Sequence, residues 1–163
     1  MTTTRDAPQL ILTQAVAAWH GGFQGTGHVE AGELATSIDL PREFGGNGAA
    51  TSPEDLLAAA LASCYGATIG IILDRRQIRY GELAVSLTMT TAKGVPSKVA
   101  SAAVRVSLRT DAQHAEVHTA IADVDKWCIV SGATKGNIEK SLEVTLLPLR
   151  VQESADTREA TAP

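Results

Sequence analysis

Alternation and helical spacing divide the chain into strand-like and helix-like stretches. Leu83, Val85, Leu87 and Met89 alternate with Ala84, Ser86, Thr88 and Thr90, and Val104, Val106 and Leu108 alternate with Arg105, Ser107 and Arg109. A period of two marks half-buried strands, and Gly94-Val95-Pro96 reads as the connection between them. A closing strand over residues 137–147 puts Ile138, Leu142, Val144 and Leu146 on one face. Upstream, residues 14–19, 28–31 and 33–40 read as antiparallel strands, separated by the glycine-rich stretch 21–27 and by Gly32. Residues 41–51 (PREFGGNGAAT) read as a loop.

Two stretches have helical character. Ser52-Pro53-Glu54-Asp55 is a helix start. Ser52 caps the first amides, Pro53 suits the first helical position, and Glu54 and Asp55 favour the positive end of the dipole. The predicted helix runs to about Arg76 and is apolar nearly all round, so it should be buried on most sides. A chain of this length has little material to enclose it, which points to a second copy. Residues 111–128 read as a second helix, with Ala115, Val117, Ile121 and Val124 near helical spacing. The expected order is β-β-β-α-β-β-α-β, an α+β fold with helices packed on antiparallel sheets. Residues 1–8 and 152–163 are polar and aperiodic and read as disordered tails around a single domain at 9–151.

Composition narrows the function. The chain has 163 residues, about the size of one domain, and a formal net charge of −4. An acidic chain with only 4% aromatic residues lacks both the basic surface and the stacking platforms that nucleic-acid binding uses. Its apolar content is dominated by 26 alanines with Val, Leu and Ile, so its elements must pack closely. The N-terminus shows no secretory pattern. The apolar run 56–73 is marginal against the roughly 20 residues of a membrane span and reads as a core helix. The expectation is a cytoplasmic protein with no membrane partner.

Two cysteines, Cys64 and Cys128, cannot form a disulfide scaffold of the kind small secreted domains use or a four-cysteine zinc site. Small buried thiols are one reading of the pair. A reactive thiol is the other, and it needs a lowered pKa, because the thiolate is the nucleophile. Cys64 lies too far along its helix for the N-terminal dipole to reach it, so a cation is expected, with Arg42 in the preceding loop the best donor. His114 and His118 share a helix face without a third ligand, and His20 and His28 flank a turn, so no metal site is expected. Neither glycine-rich stretch has the spacing of a phosphate-binding loop.

The segment Thr51-Ser-Pro-Glu-Asp-Leu-Leu-Ala-Ala-Ala-Leu-Ala-Ser-Cys64-Tyr resembles the signature TNPE-x-L-x-x-A-A-x-x-x-C-F of the OsmC/Ohr family, the osmotically inducible and organic hydroperoxide resistance proteins. Cys128-Ile-Val-Ser131 is similar to that family's C-P-V-S, and Ala17-Ala-Trp-His-Gly21 to its A-x-W-x-G, an element nearer the OsmC branch. The resemblance covers roughly residues 14–148. Ile129 stands where the family has proline, Ser52 where it has asparagine, and Arg42 lies further from Cys64 than in the OsmC branch.

The resemblance implies an OsmC-like fold with a long buried central helix, an intertwined homodimer with sites at the interface, and a thiol peroxidase acting on organic hydroperoxides. It implies Cys64 as the peroxidatic and Cys128 as the resolving cysteine, with Arg42 and Glu54 as the site's arginine and glutamate. It implies no bound cofactor and an external dithiol reductant protein, a dihydrolipoyl group in the family. Glu54 and Cys64, ten residues apart on one helix, are about 15 Å apart, so Arg42 and Glu54 are expected to serve the partner's cysteine. Ala60, Leu61, Tyr65, Thr68 and Ile69 flank Cys64 and favour alkyl over hydrogen peroxide. The rival reading is a non-catalytic redox-sensing or ligand-binding stress-response module of the same fold.

Overall fold

The computed structural model describes residues 10–149. The tails expected at 1–8 and 152–163 lie outside the described residues. The strands are β1 (Val16–His20), β2 (Thr26–Ala31), β3 (Leu34–Asp39), β4 (Leu83–Ala92), β5 (Lys98–Arg109) and β6 (Glu139–Leu147). The α-helices are α1 (Pro53–Arg75), α2 (His114–Ile121), α3 (Val124–Trp127) and α4 (Ile129–Ala133). The chain divides into two compact units between Leu56 and Leu57.

In the first unit β1, β2 and β3 form an antiparallel meander in which Val16 faces Glu30 and Thr26 faces Asp39. The β1–β2 turn needs glycine at position 25, where a Cβ would stand 2.4 Å from the His20 carbonyl oxygen. Asp39 is completely buried at the end of β3. Its carboxylate accepts from the amides of Ala49 at 3.0 Å and Asn47 at 3.4 Å, which fixes the following loop. A 3₁₀ turn over Arg42–Phe44 lies in that loop and ends in Gly45, whose φ of 87° is in the left-handed region. Ser52 caps α1 as the sequence predicts. Its hydroxyl accepts from the Asp55 amide at 3.0 Å, and the Asp55 carboxylate accepts from the Ser52 amide at 3.0 Å, a reciprocal capping box.

In the second unit β5 is the central strand of the order β4-β5-β6. Ala102, Val104, Val106 and Leu108 alternate along it and are buried. Leu61, Tyr65, Ile69 and Leu73 of α1 join Val104, Val106 and Leu108 in one core with Val117, Ala120, Ile121, Val124 and Cys128. Each large aliphatic side chain taken fully out of water here contributes roughly 1.5–3 kcal/mol.

Three expectations are corrected. The sheets are not wholly antiparallel, because β6 runs parallel to β5, from Ser101 opposite Glu139 to Arg109 opposite Leu147. The helical segment between them carries the chain back to the starting end, which a parallel pair requires. The single helix expected over 111–128 is two short ones, α2 and α3, interrupted at Ala122-Asp123 and ended at Cys128, whose ψ of 108° is extended, with α4 following it. Within the chain, α1 is buried along one stripe, at Leu61, Tyr65, Thr68, Ile69 and Leu73, rather than on most sides. Small residues dominate another face, where Ala59, Ala62, Gly66, Ala67 and Gly70 line an open groove with Leu83 and Val85. By length and composition alone α1 is apolar enough to cross a membrane, but its buried stripe lies in a packed core.

Candidate active site

Cys64 and Cys128 come together. Cys64 sits near the middle of α1, and Cys128 sits in the extended residue between α3 and α4. Both are free thiols, and the Cys128 thiol donates to Cys64 Sγ at 2.7 Å. Cys64 is half-buried and Cys128 is buried.

Their surroundings push the two thiols in opposite directions. Burial raises Cys64, but hydrogen bonds from the Cys128 thiol, the Val130 amide, the Thr68 hydroxyl and the Ile129 amide outweigh it, and its pKa is lowered. Thr68 Oγ1 lies 4.0 Å from Cys64 Sγ, one helical turn further along α1. Cys128 is pushed up to about 11, first by burial and then by the hydrogen bond to Cys64, against a weaker pull from the Ser131 amide. The first proton to leave the pair therefore leaves Cys64, while Cys128 keeps its own.

Within one chain, side-chain donors are joined by backbone donors in lowering Cys64. The backbone donors are the Val130 and Ile129 amides at the start of α4, which lies across from Cys64 in the fold. The first amides of a helix have no partner within it, so a helix restarted at Cys128 presents them outward. The sequence signal was Cys-Ile-Val-Ser itself, with Cys128 in the capping position and its Sγ accepting from the Ser131 amide at 3.4 Å.

A polar network that sequence reasoning missed lies behind the thiols. The hydroxyl of Tyr65, the residue after Cys64, donates to Asp125 Oδ1. Ser131 Oγ donates to the same oxygen at 2.5 Å. Lys140 Nζ donates to Ser131 Oγ at 2.6 Å and to the Ser131 carbonyl at 2.9 Å, and lies 4.0 Å from Asp125 Oδ1. Burial, and next the Asp125 hydrogen bond, push the Tyr65 hydroxyl far above its ordinary range, so it remains a donor. Burial raises Asp125, but the Ser131 and Tyr65 hydrogen bonds and the charges of Lys140 and Lys135 bring it below its ordinary value.

The other two expected site residues belong to the first unit. Arg42 is exposed in the 3₁₀ turn, and its Nε donates to the Asn47 carbonyl at 2.9 Å. Glu54 is the second residue of α1, and its Oε2 is buried without a hydrogen-bond partner. Among the described residues no group of three His, Cys, Asp or Glu side chains could hold a metal ion. His114 and His118 stack with ring centroids 6.0 Å apart on the exposed side of α2.

The family model described as OsmC-like protein matches residues 45–143, which include both cysteines and the segment between them. The chain belongs to the OsmC-like family. Bacillus subtilis YmaD, itself described as uncharacterized, is 31% identical over 136 residues, covering 80% of this chain and 91% of YmaD. A Staphylococcus epidermidis protein named organic hydroperoxide resistance protein-like 1 is 28% identical over 123 residues, covering 74% of this chain and 88% of its own. The solved structure of a Legionella pneumophila organic hydroperoxide resistance protein OsmC is 30% identical, with a TM-score of 0.70 over 85% of this chain and 99% of that one. The α+β architecture of two small sheets and a long helix is thus that of its OsmC-like neighbours.

Proposed function

We propose that this OsmC-like chain is a thiol-dependent peroxidase that reduces organic hydroperoxides to alcohols. The single observation that carries the reading is the 2.7 Å approach of two free thiols, one pulled down and the other pushed up in pKa. The names of the Staphylococcus and Legionella relatives, both of organic hydroperoxide resistance, support the same reaction class.

Each step follows from this chain's own groups. The Cys64 thiolate attacks the peroxide O–O bond, which breaks; the alkoxide takes a proton and leaves as alcohol, with a sulfenic acid on Cys64. The Cys128 thiol then attacks Cys64 Sγ, a disulfide forms, and the sulfenic oxygen leaves as water. An external dithiol, of the dihydrolipoyl kind used in the family, restores both thiols by exchange. The apolar surroundings of Cys64, with Leu61 and Ile69 in the core, favour an alkyl hydroperoxide over hydrogen peroxide.

The protein acts in this reading as a cytoplasmic homodimer. A second copy would cover the open small-residue face of α1. A guanidinium from Arg42 of one protomer would satisfy the orphaned Glu54 Oε2 and approach the peroxide at the other protomer's Cys64.

The test is the intact mass after one equivalent of cumene hydroperoxide. The expected result is the loss of two hydrogens, abolished by Cys64→Ser, followed by steady turnover with dihydrolipoamide. Unchanged mass would defeat the reading, and disulfide formation without turnover would make the protein a redox sensor.

A further inference from the structure

Asp125 stands three residues before Cys128 and Ser131 three residues after it. Their side chains meet across the turn that Cys128 occupies, and Tyr65 ties that junction to the residue beside Cys64. Lys140 of β6 closes the cluster from the sheet, with its side chain only 12% exposed. The helices on either side of Cys128 have four and five residues, too few to hold a shape by their own hydrogen bonds. The position of the Cys128 sulfur must therefore be set by tertiary bonds, and this cluster supplies them on both flanks. None of the four side chains is used in the steps written above.

We propose that Tyr65, Asp125, Ser131 and Lys140 are positioning residues that hold Cys128 on Cys64, and so set the peroxide level at which the site is irreversibly inactivated. The proposal rests on the peroxidase reading. A Cys64 sulfenic acid has two fates. In one, Cys128 attacks it, the S–S bond forms, the S–O bond breaks and water leaves. In the other, the sulfenate attacks a second hydroperoxide, the O–O bond breaks, alcohol leaves and a sulfinic acid remains. The first is intramolecular and depends on where the Cys128 sulfur is held. The second depends only on peroxide concentration and access. Because about 1 Å of misplacement can slow an intramolecular step roughly 100-fold, loosening the turn shifts the branch toward the sulfinic acid without touching the first oxidation.

The experiment compares the full-length wild-type protein with Tyr65→Phe and Lys140→Met over a series of cumene hydroperoxide concentrations. Intact mass separates disulfide, which loses two hydrogens, from sulfinic acid, which gains two oxygens. Both variants are expected to lose the Cys64 thiol at the wild-type rate yet reach half sulfinic acid at roughly tenfold less peroxide. A role limited to stability would lower the melting temperature and leave this branch ratio alone. Should Tyr65→Phe fail to fold by circular dichroism, Lys140→Met, which removes only the cation facing Ser131, decides the matter. Folded variants that branch as the wild type does would overturn the proposal while the peroxidase reading stands. Wild-type protein that stays fully reduced would overturn that reading itself.

Discussion

Cys64 sits near the middle of a 23-residue helix, whereas Cys128 sits in an extended residue between helices of four and five residues. The regular element has every mid-helix amide committed to its own ladder and offers the sulfur nothing but a side-chain contact from Thr68. The broken element offers more donors. Restarting the chain as α4 frees the amides of Ile129, Val130 and Ser131. Ile129 and Val130 act on Cys64, and Ser131 and Val130 on Cys128. The long helix thus fixes the Cys64 sulfur, and the interruption opposite supplies the donors that lower its pKa. Burial and the hydrogen bond to Cys64 push the Cys128 thiol up to about 11, against the pull of the same α4 amides.

The largest effects should come from removing each sulfur in turn. Cys64→Ser is expected to reduce hydroperoxide consumption to the uncatalysed level, followed by loss of peroxide colour with ferrous xylenol orange. Cys128→Ser should still consume a first equivalent, since the first attack needs only Cys64, and then a second at higher peroxide as the unresolved sulfenic acid goes on to sulfinic acid, with no Cys64–Cys128 disulfide formed. Equal activity in the two variants would erase the assigned difference between the helix and the turn.

A smaller effect tests the electrostatics. Thiols react with iodoacetamide as thiolates, so each should be alkylated as pH rises through its own pKa. Cys64 should be labelled with a midpoint below the ordinary cysteine value, and Cys128 only toward about pH 11. In Cys64→Ser the Cys128 midpoint should move down, because the hydrogen bond and charge of Cys64 are gone while burial stays. Peptide mapping by mass spectrometry resolves the two sites. Coincident midpoints in the wild type would contradict the proton arrangement drawn from the geometry.

The two regions also differ in how far their sequences foretold them. Ser52-Pro53-Glu54-Asp55 announces the start of α1 because capping chemistry is local, and the structure carries out that chemistry in the Ser52–Asp55 box. The breaks after α2 and at Cys128 have no such marker. Val117, Ala120, Ile121, Val124 and Cys128 are all buried, at spacings that continue a helical stripe through both breaks. No glycine or proline interrupts residues 114–131. Tertiary packing of Cys128 on Cys64 overrode the local pattern there. The direction of β6 was hidden for a related reason, since alternation of side chains fixes a strand's faces and not its sense. The cysteine pair was legible only through the resemblance, because the 64-residue separation carries no distance. Tyr65, Asp125, Ser131 and Lys140 were not legible, since they come from α1, α3, α4 and β6 and meet only after folding.

The finest test exchanges one residue at the boundary between the two regions. Ile129 occupies the first position of α4, where proline is favoured because that amide has no helical partner. Cys128 before it has φ −74° and ψ 108°, close to the extended conformation that a following proline demands. Ile129 is 85% exposed, so its side chain gives up little packing. Ile129→Pro should therefore fold, with a stability gain of about 0.4–1 kcal/mol from a stiffer unfolded chain, read by urea melts. It also deletes the Ile129 amide that acts on the Cys64 sulfur. The Cys64 alkylation midpoint should accordingly rise, by less than deleting the Cys128 thiol would raise it, because that hydrogen bond stands ahead of the Ile129 amide among the lowering influences. A more stable variant with a weaker thiolate would show that the amides of α4 tune Cys64 independently of how firmly the turn is held. An unchanged midpoint would leave Val130 as the α4 amide that matters to Cys64.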